Sequence, residues 1–294
     1  MKPAISLNGA SFMGLYAIIQ SAIWALVRHL SGELSTETIF LFRNLIGAFA
    51  ILPLLRMHGL GLFKTDYLVS HLVRAAAAFI GGFSIFLSVA LLPLSSAVSV
   101  SFSAPVFASL GALWFFKERL TKVRLTALGL GFAGVLVTLR PSFDVTSYGL
   151  VAAYLGACMT AVAFLMVKRL SSVEQHSKTV AYPFIFLLPL SCIVAYFNWT
   201  TPKTEHLPIL LLIGGGVILS QFCLVRAMSL AEASRVLPID FLRLVFATAL
   251  GVSFFNDNLD LPMVLGGCII FASAILLAGD KQAQSKTAKG ASAK

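Results

Sequence analysis

The chain has 294 residues, of which 58% are apolar and only 12% are charged. A soluble domain of ordinary composition is about 45–50% apolar and about 25% charged. A chain of this length with half the usual charge cannot cover a surface that faces water. The composition therefore excludes a soluble enzyme and a nucleic-acid-binding domain, despite the net charge of +10, and it predicts a polytopic all-α integral membrane protein.

Ten stretches of the chain approach or reach the length of about 20 mostly apolar residues that a membrane-spanning helix needs. The fold prediction is accordingly an all-α membrane protein with ten transmembrane helices. In chain order the predicted helices are Asn8–Val27, Thr38–Leu55, His71–Leu91, Ser95–Phe116, Val123–Leu139, Tyr148–Val167, Thr179–Phe197, Leu207–Met228, Ser234–Phe255 and Leu261–Gly279. Residues 281–294 are rich in Lys, Ala and Ser, which predicts a disordered cytoplasmic tail.

The basic residues are distributed unevenly between the two sides of the predicted bundle. If the amino terminus is cytoplasmic, only Arg28, Arg140 and Lys203 fall in the segments of the opposite side, and Arg43 and Arg243 lie within helices. All other basic residues, Arg74 among them, are then assigned to the cytoplasmic side, as the positive-inside rule expects. The charge therefore predicts topology, with both termini in the cytoplasm, and requires no nucleic-acid partner.

The two halves of the chain resemble each other. Val-Phe-Ala at 106–108 precedes Phe-Phe-Lys-Glu at 115–118, and 139 residues later Val-Phe-Ala at 245–247 precedes Phe-Phe-Asn-Asp at 254–257. This predicts two five-helix repeats, over residues 1–142 and 148–280. Because five is odd, the second repeat must be inverted in the membrane. Inverted repeats are typical of secondary transporters, whose substrate binds near the midplane between the halves.

These segments resemble a known family. The fourth helix ends in Phe-Phe-Lys-Glu-Arg-Leu at 115–120, and a Gly-rich fifth helix follows at 128–136; both resemble the EamA type of the drug/metabolite transporter superfamily. The segments 93–107 and 238–246 are similar to the branch that includes S-adenosylmethionine uptake transporters. Lys117 and Asp257-Asn258 depart from the family pattern, which leaves the cargo undefined.

The resemblance implies a secondary active transporter of a small polar or zwitterionic metabolite in the inner membrane. S-adenosylmethionine is one cargo that fits; export of amino acids and uptake of a riboflavin-like vitamin are the alternatives. It also implies a cavity lined by helices 1, 2, 3, 4, 6, 8 and 9, with helices 5 and 10 at the periphery. An integral-membrane enzyme is a remote alternative, because the spans contain no nucleophile–base set.

Three ionisable residues lie well inside predicted spans, where charge is costly and defaults to a functional role. Asp240 and Arg243 are three residues apart on one helical face. They form either a structural pair that neutralises itself, or a site in which Arg243 binds an anion and Asp240 an amine or a coupling proton. Arg43 either snorkels to the interface or anchors an anionic group.

Further candidates for substrate binding are polar or aromatic residues within the spans. Prolines mark where helices bend and release backbone groups that can contact a substrate. Pro105 and Pro238 are predicted helix breaks at near-corresponding places in the two repeats. The side chains predicted to contact substrate, besides the three charges, are Gln20, Trp24, Ser101, Tyr154 and Gln221.

The predicted partners are a small-molecule substrate and the lipid bilayer, with monomer and homodimer as alternatives. We predict no cofactor and no metal site, because the four cysteines lie in separate apolar runs and the five histidines lie at or near loops. Glu118, beside four basic residues, is expected to form a structural ion pair.

Overall fold

The computed structural model describes residues 8–49, 52–53, 56, 61, 64–91, 100–118, 121–139, 147–255 and 260–278. Within these ranges the chain forms ten helices of 12 residues or more and no strand. They are α1 (Gly9–Leu30), α2 (Thr36–Phe49), α3 (Leu68–Leu91), α4 (Ala104–Phe115), α5 (Lys122–Leu139), α6 (Ser147–Val173), α7 (His176–Phe197), α8 (Leu207–Leu230), α9 (Leu242–Phe255) and α10 (Leu261–Ala278).

Seven helical stretches in the described ranges are long and apolar enough to cross a membrane. These are Gly9–Leu30, Leu68–Ile85, Lys122–Leu139, Tyr148–Val173, His176–Phe197, Thr204–Leu230 and Ala233–Phe255. Two shorter apolar helices, Ala104–Phe115 and Leu261–Leu277, accompany them. The prediction of an all-helical membrane protein is confirmed, whereas the count of ten spans stays a prediction. The predicted tail at 281–294 and the Asp257-Asn258 pair lie outside the described residues.

Two of the predicted helices are interrupted near their prolines. The ninth begins with a single helical turn, Ala233–Val236, continues as a 3₁₀ segment, Leu237–Phe241, and becomes α-helical only at Leu242. Pro238 lies at the start of the 3₁₀ segment. Proline has no backbone N–H group, so it cannot donate the hydrogen bond that would continue the preceding helical turn. In the fourth, residues 102–103 form a turn before α4, and Pro105 lies in the first turn of that helix, a position that proline tolerates.

The helices of the two halves pack in matching pairs. Extensive contacts join α3 to α6 and α1 to α8, and these two pairs exchange when each helix of α1–α5 is replaced by its counterpart in α6–α10. Under the same exchange, the contact between α1 and α9 corresponds to that between α4 and α6, and the contact between α2 and α8 corresponds to that between α3 and α7. The contacts between α5 and α10 and between α2 and α7 each join a helix to its own counterpart. The two halves therefore use equivalent helix surfaces against each other.

Glycines allow the closest of these helix contacts. A Cβ added to Gly266 of α10 would lie 2.6 Å from the carbonyl oxygen of Gly134 in α5, and one added to Gly156 of α6 would lie 3.2 Å from that of Gly81 in α3. Small residues let backbones approach where lipid supplies no hydrophobic driving force between helices. α5 and α10 thus form a tightly packed pair.

Connecting segments meet at two ends of the bundle. At one, which we call the α1–α2 end, the Ser35 hydroxyl donates to the carbonyl of Asn198 at 2.6 Å. At the other, the α4–α5 end, the carboxylate of Glu118 accepts from the backbone of Ala233 at 2.8 Å. Each contact joins segments that the ten-span topology places on one side of the membrane.

Candidate functional site

A cavity of about 730 Å³ lies between the halves and reaches the α1–α2 end. Its lip includes Arg28, Ser31 and Thr36, and its walls come from α1, α2, α7, α8 and α9, with Leu139 and Met263 contributed by α5 and α10. The family resemblance implied walls from helices 3, 4 and 6 as well. Among the described lining residues none comes from α3, α4 or α6, because those helices pack against one another beside the cavity.

Half of the predicted substrate-contacting residues line this cavity, namely Gln20, Trp24, Arg43 and Gln221. The others do not. Tyr154 lies on α6 with 47% of its surface exposed, so it faces away from the helices that form the walls. Ser101 lies in the short stretch before α4, and neither it nor Pro105 and Pro238 belongs to the cavity lining.

Arg243 and Asp240 form an ion pair with a distance of 2.9 Å from Nη2 to Oδ2. The Asp240 side chain is fully buried, and its Oδ1 has no hydrogen-bond partner in the described part of the chain. Neither residue is part of the cavity lining. The geometry is that of the pair that neutralises itself, the first of the two alternatives raised by the sequence.

Arg243 also connects the ion pair to the cavity wall through aromatic rings. Its guanidinium lies 4.6 Å from the ring centre of Trp24 and 5.0 Å from that of Phe102. Phe102 in turn contacts Phe241, with ring centres 6.3 Å apart. Cation–π contacts of this kind add stabilisation when they are desolvated. The two interrupted stretches of the chain therefore meet at Arg243, behind Trp24.

Arg43 lies within the cavity wall rather than at the interface. Its guanidinium lies 4.3 Å from the ring centre of Phe40, and its Nη2 donates a long hydrogen bond of 3.5 Å to the side-chain oxygen of Asn44. The Arg43 Nε and the Asn44 Nδ2 are buried and lack hydrogen-bond partners within the described ranges. Two unused donors thus lie side by side on α2.

Arg74 is a buried charge that sequence reasoning counted with a cytoplasmic loop. It lies inside α3 with 3% of its surface exposed, so counting it with the cytoplasmic segments rather than with the charges inside the spans was wrong. Its Nη1 donates to the carbonyl of Thr179 at 2.5 Å and its Nη2 to the Gln221 Oε1 at 2.8 Å. The signal available in the sequence was the helix-forming apolar run that continues on both sides of Arg74.

Tyr16 is a buried phenol that accepts a long hydrogen bond of 3.5 Å from the cavity residue Gln20. It is buried on α1, and it interacts electrostatically with Arg43, Arg74, Asp240 and Arg243. Nothing in its sequence neighbourhood distinguished it from an aromatic residue of the lipid-facing surface. The charges that act on this phenol therefore come from three parts of the chain, namely α2, α3 and the start of the ninth helix.

Charged side chains close the α4–α5 end. Glu118 accepts hydrogen bonds from the backbone amides of Ala233 and Ser234 at 2.8 and 2.9 Å. The buried Arg124 pairs with Glu232. Glu118 thus caps the turn that begins the ninth helix, where unpaired amides favour a carboxylate, and it also interacts electrostatically with Lys168.

Lys168 completes this closure from α6. Its Nζ donates to the carbonyls of Met228 and Ala231 at 2.8 and 2.6 Å, at the carboxyl end of α8, where a cation is favoured. Charged groups from the first half and from α6 thus hold the segment 228–234.

The α1–α2 end is held by exposed polar contacts. The Lys203 Nζ lies 3.2 Å from the Glu33 Oε2, and the His206 Nε2 lies 3.1 Å from the same oxygen. The hydrogen bonds from Lys203 and His206 lower the pKa of Glu33 from its ordinary value of 4.5, and the bond to Glu33 raises the pKa of Lys203. The donor atoms of Glu33, Glu205 and His206 lie within 4.8 Å of one another, and Lys203 lies 3.3 Å from Glu205, so the carboxylates already have a cation between them.

Comparison with known proteins identifies a family and a solved structure that share this architecture. The model of the EamA-like transporter family matches residues 7–140 and again residues 147–279. One solved crystal structure superposes with a TM-score of 0.78 over 91% of this chain and 95% of its own, at 18% identity, which shows a common fold.

Curated relatives cover nearly the whole chain. The S-adenosylmethionine uptake transporter of Rickettsia felis is 26% identical over 95% of this chain and 96% of its own length. The riboflavin transporter of Vibrio cholerae is 29% identical over 92% and 93%, and the pseudopaline exporter of Pseudomonas aeruginosa is 28% identical over 94% and 97%. These relatives are membrane transporters and not enzymes. With two copies of the family domain spanning nearly all of its length, this chain belongs to the EamA-like transporter family.

Proposed function

We propose that the protein is a secondary active transporter that moves a small polar or zwitterionic metabolite across the bacterial inner membrane by alternating access. Its two repeats would be inverted five-helix units, approximately 1–142 and 148–280, in a ten-span bundle with both termini in the cytoplasm. The relatives carry S-adenosylmethionine, riboflavin or pseudopaline according to their names, so the cargo class of this chain is open to test.

One observation carries the proposal. A cavity of about 730 Å³ reaches the α1–α2 end, while hydrogen bonds from Glu118 and Lys168 fix the segment 228–234 at the α4–α5 end. A volume in the range of about 300–1,000 Å³ suits a metabolite-sized ligand. Access from one end and closure at the other is the arrangement that alternating access requires in one of its states.

The paired helix contacts support the proposed mechanism. Because α3/α6 exchanges with α1/α8, and α2/α8 with α3/α7, each half presents surfaces on which the packing of the other half could form. Rocking between two such arrangements would open the α4–α5 end while it closes the α1–α2 end. In the positive-inside orientation, the α1–α2 end faces away from the cytoplasm.

Within the cavity, Arg43 is the side chain we assign to an anionic group of the substrate, with Gln20, Trp24 and Gln221 as further contacts. Arg243 and Asp240 would instead fix the interrupted ninth helix behind Trp24, since their charges already neutralise each other at 2.9 Å. Tyr154 is exposed on α6, and we do not include it in the proposed site.

The test presents the protein with many candidate cargoes at once. Proteoliposomes that contain the purified protein are incubated with a bacterial metabolite extract, with and without a proton gradient and with preloaded extract for exchange. Vesicle contents are then identified by mass spectrometry. We expect at least one metabolite to accumulate in vesicles with the wild-type protein.

A plugged variant provides the matched comparison. Ala247 lines the cavity, so Ala247→Trp should reduce accumulation to the level of protein-free vesicles. Ala76 is exposed on α3, and Ala76→Trp adds the same ring outside the cavity, where transport should persist. Equal accumulation with the wild-type and Ala247→Trp proteins would contradict transport through this cavity.

A further inference from the structure

The charged residues of the cavity wall are all basic. Arg28 and Arg43 line it, and no acidic residue is present among the described lining residues. The one buried carboxylate nearby, Asp240, is already paired with Arg243. Arg43 therefore brings to the wall a positive charge that no carboxylate of the described ranges neutralises.

A second buried cation lies beneath the wall. Arg74 donates to the carbonyl of Thr179 and to the amide oxygen of Gln221, and it has no carboxylate partner in the described part of the chain. The acidic residue at that end of α6, Glu174, lies 3.3 Å from Lys178, which balances its charge. Arg74 thus adds to the positive charge of the cavity, because Gln221 belongs to the lining.

The two guanidiniums also orient the amides beside them. The Arg74 Nη2 donates a hydrogen bond to the Gln221 Oε1 at 2.8 Å, and the Arg43 Nη2 donates a longer one to the Asn44 Oδ1 at 3.5 Å. Each amide oxygen is therefore directed at a cation, and each amide offers its NH₂ group, which can only donate. The Asn44 Nδ2 and Arg43 Nε are buried with no partner among the described residues. Leaving buried donors unsatisfied is unfavourable, so the site lacks an acceptor.

We propose that the cavity selects organic anions, whose negatively charged oxygens accept hydrogen bonds from Arg43, Asn44 and Gln221, with Arg74 as the positioning residue for Gln221. This inference rests on the proposed transport function and narrows its cargo. A ligand with net positive charge, as S-adenosylmethionine has from its sulfonium and ammonium groups, would be disfavoured. An anion would both neutralise the charge and satisfy the free donors.

The experiment measures the charge preference of the cavity directly. In a protein whose four cysteines (Cys158, Cys192, Cys223 and Cys268) are replaced by alanine, Ala247→Cys introduces one thiol in the cavity wall. The rates of its modification by a negatively charged methanethiosulfonate, the sulfonatoethyl reagent, and by its positively charged trimethylammonium-ethyl counterpart are compared. Thr201→Cys, exposed at the same end, provides the reference ratio.

We expect the ratio of anionic to cationic reaction rates to be at least about tenfold higher at Ala247→Cys than at Thr201→Cys, because a charged cleft concentrates counter-ions by at least about that factor. Arg43→Gln should reduce the preference, whereas Arg43→Lys, which keeps the charge, should retain it. Arg74→Gln should reduce it as well. Size-exclusion profiles verify that each variant is folded. The main comparison, between Ala247→Cys and Thr201→Cys, leaves every arginine unchanged and so does not depend on the folding of the arginine variants.

The outcomes separate this inference from the proposed function. A thiol that reacts quickly with both reagents at the reference ratio would overturn anion selectivity and leave an accessible transport cavity. A thiol at Ala247→Cys that reacts with neither reagent would contradict the open cavity itself, and with it the proposed function. A preference that survives unchanged in Arg43→Gln and Arg74→Gln would overturn the assignment of these residues.

Discussion

The two ends of the bundle are held by different chemistry. At the α4–α5 end, Glu118 caps a helical turn of the other half and the buried Arg124 pairs with Glu232. At the α1–α2 end, Glu33 and Lys203 meet with more than half of each side chain exposed. Exposed pairs contribute little to stability, whereas hydrogen bonds to partly buried charges contribute more.

This difference indicates which contacts hold the protein in its present state. In the proposed transport cycle, the α4–α5 contacts would have to break before a substrate could leave on that side, so we expect them to set the free energy of opening. The α1–α2 contacts join segments beside a cavity that is already open. The stronger end should therefore control the conformational equilibrium, and the weaker end should affect it little.

The largest effect is expected from breaking the closed end. Glu118→Ala removes two hydrogen bonds from the amides of Ala233 and Ser234. Hydrogen bonds to charged groups contribute about 1.5–3 kcal/mol each, so at least about 3 kcal/mol is lost, or roughly 100-fold in the equilibrium. A thiol at Ser234→Cys, buried in the described structure, should react with a water-soluble maleimide correspondingly faster.

Glu205→Ala is the control for this experiment, because it removes an exposed carboxylate at the α1–α2 end. Labelling of Ser234→Cys should be unchanged in that background. Equal labelling with and without Glu118 would mean that the carboxylate does not keep this end closed.

An intermediate effect is expected where neither end is involved. A Cβ at Gly266 would overlap the Thr138 Oγ1 and lie 2.6 Å from the Gly134 carbonyl oxygen, so Gly266→Ala should overpack the α5–α10 contact and lower stability by about 1–3 kcal/mol. The melting temperature in nanodiscs measures this loss. Accessibility of Ser234→Cys should remain unchanged, which would distinguish folding stability from gating.

Gly267 supplies the matched control, since a Cβ there meets no atom within 4 Å. Gly267→Ala should melt with the wild-type protein. A melting temperature of Gly266→Ala equal to that of Gly267→Ala would contradict the close approach of α5 and α10.

The smallest effect is expected at the exposed contact of the α1–α2 end. Hydrogen bonds from Lys203 and His206 lower the pKa of Glu33 below 4.5. The stabilisation by its carboxylate is therefore complete above pH 4.5 and is lost as the pH falls through the lower, folded-state pKa. The difference in melting temperature between the wild-type protein and Glu33→Gln should be small at pH 7 and should shrink further as the pH is lowered below 4.5. A difference that grows on acidification would have the wrong sign.

Much of the helical framework could be predicted from the sequence. The long apolar runs predicted a polytopic helical protein, and Pro105 and Pro238 predicted the neighbourhood of two helix interruptions. Arg74 was counted with the cytoplasmic segments although it lies within the predicted helix His71–Leu91. The observed helix begins at Leu68, so that Arg74 lies six residues inside it. In the ninth helix, the change from 3₁₀ to α-helix at Leu242 was not predicted. It lies where Phe241 and Arg243 contact Phe102, a contact between distant parts of the chain that local sequence does not reveal.

The candidate site was readable only in part, and two tyrosines show why. Tyr16 and Tyr154 each interrupt an apolar helix, yet Tyr16 is buried among charges whereas Tyr154 is 47% exposed. In a soluble helix a polar face identifies the side that meets water, but a membrane helix is apolar both towards lipid and towards its neighbours. Periodicity therefore could not distinguish the two surfaces, and Tyr154 was placed in the site while Tyr16 and Asn44 were missed.

By itself, the sequence determined that the chain is a helical membrane protein, that its halves are related, and that Arg43, Asp240 and Arg243 are charges within the bundle. Those properties depend on local composition and order along the chain. Only the tertiary structure decided that Arg243 is neutralised while Arg43 borders the cavity, and that Arg74 directs Gln221. The physical reason is that the free energy of a buried charge depends on its partners, and packing decides which partners are available. Arg74 finds Thr179 and Gln221 on other helices, whereas Arg243 pairs with Asp240 three residues away.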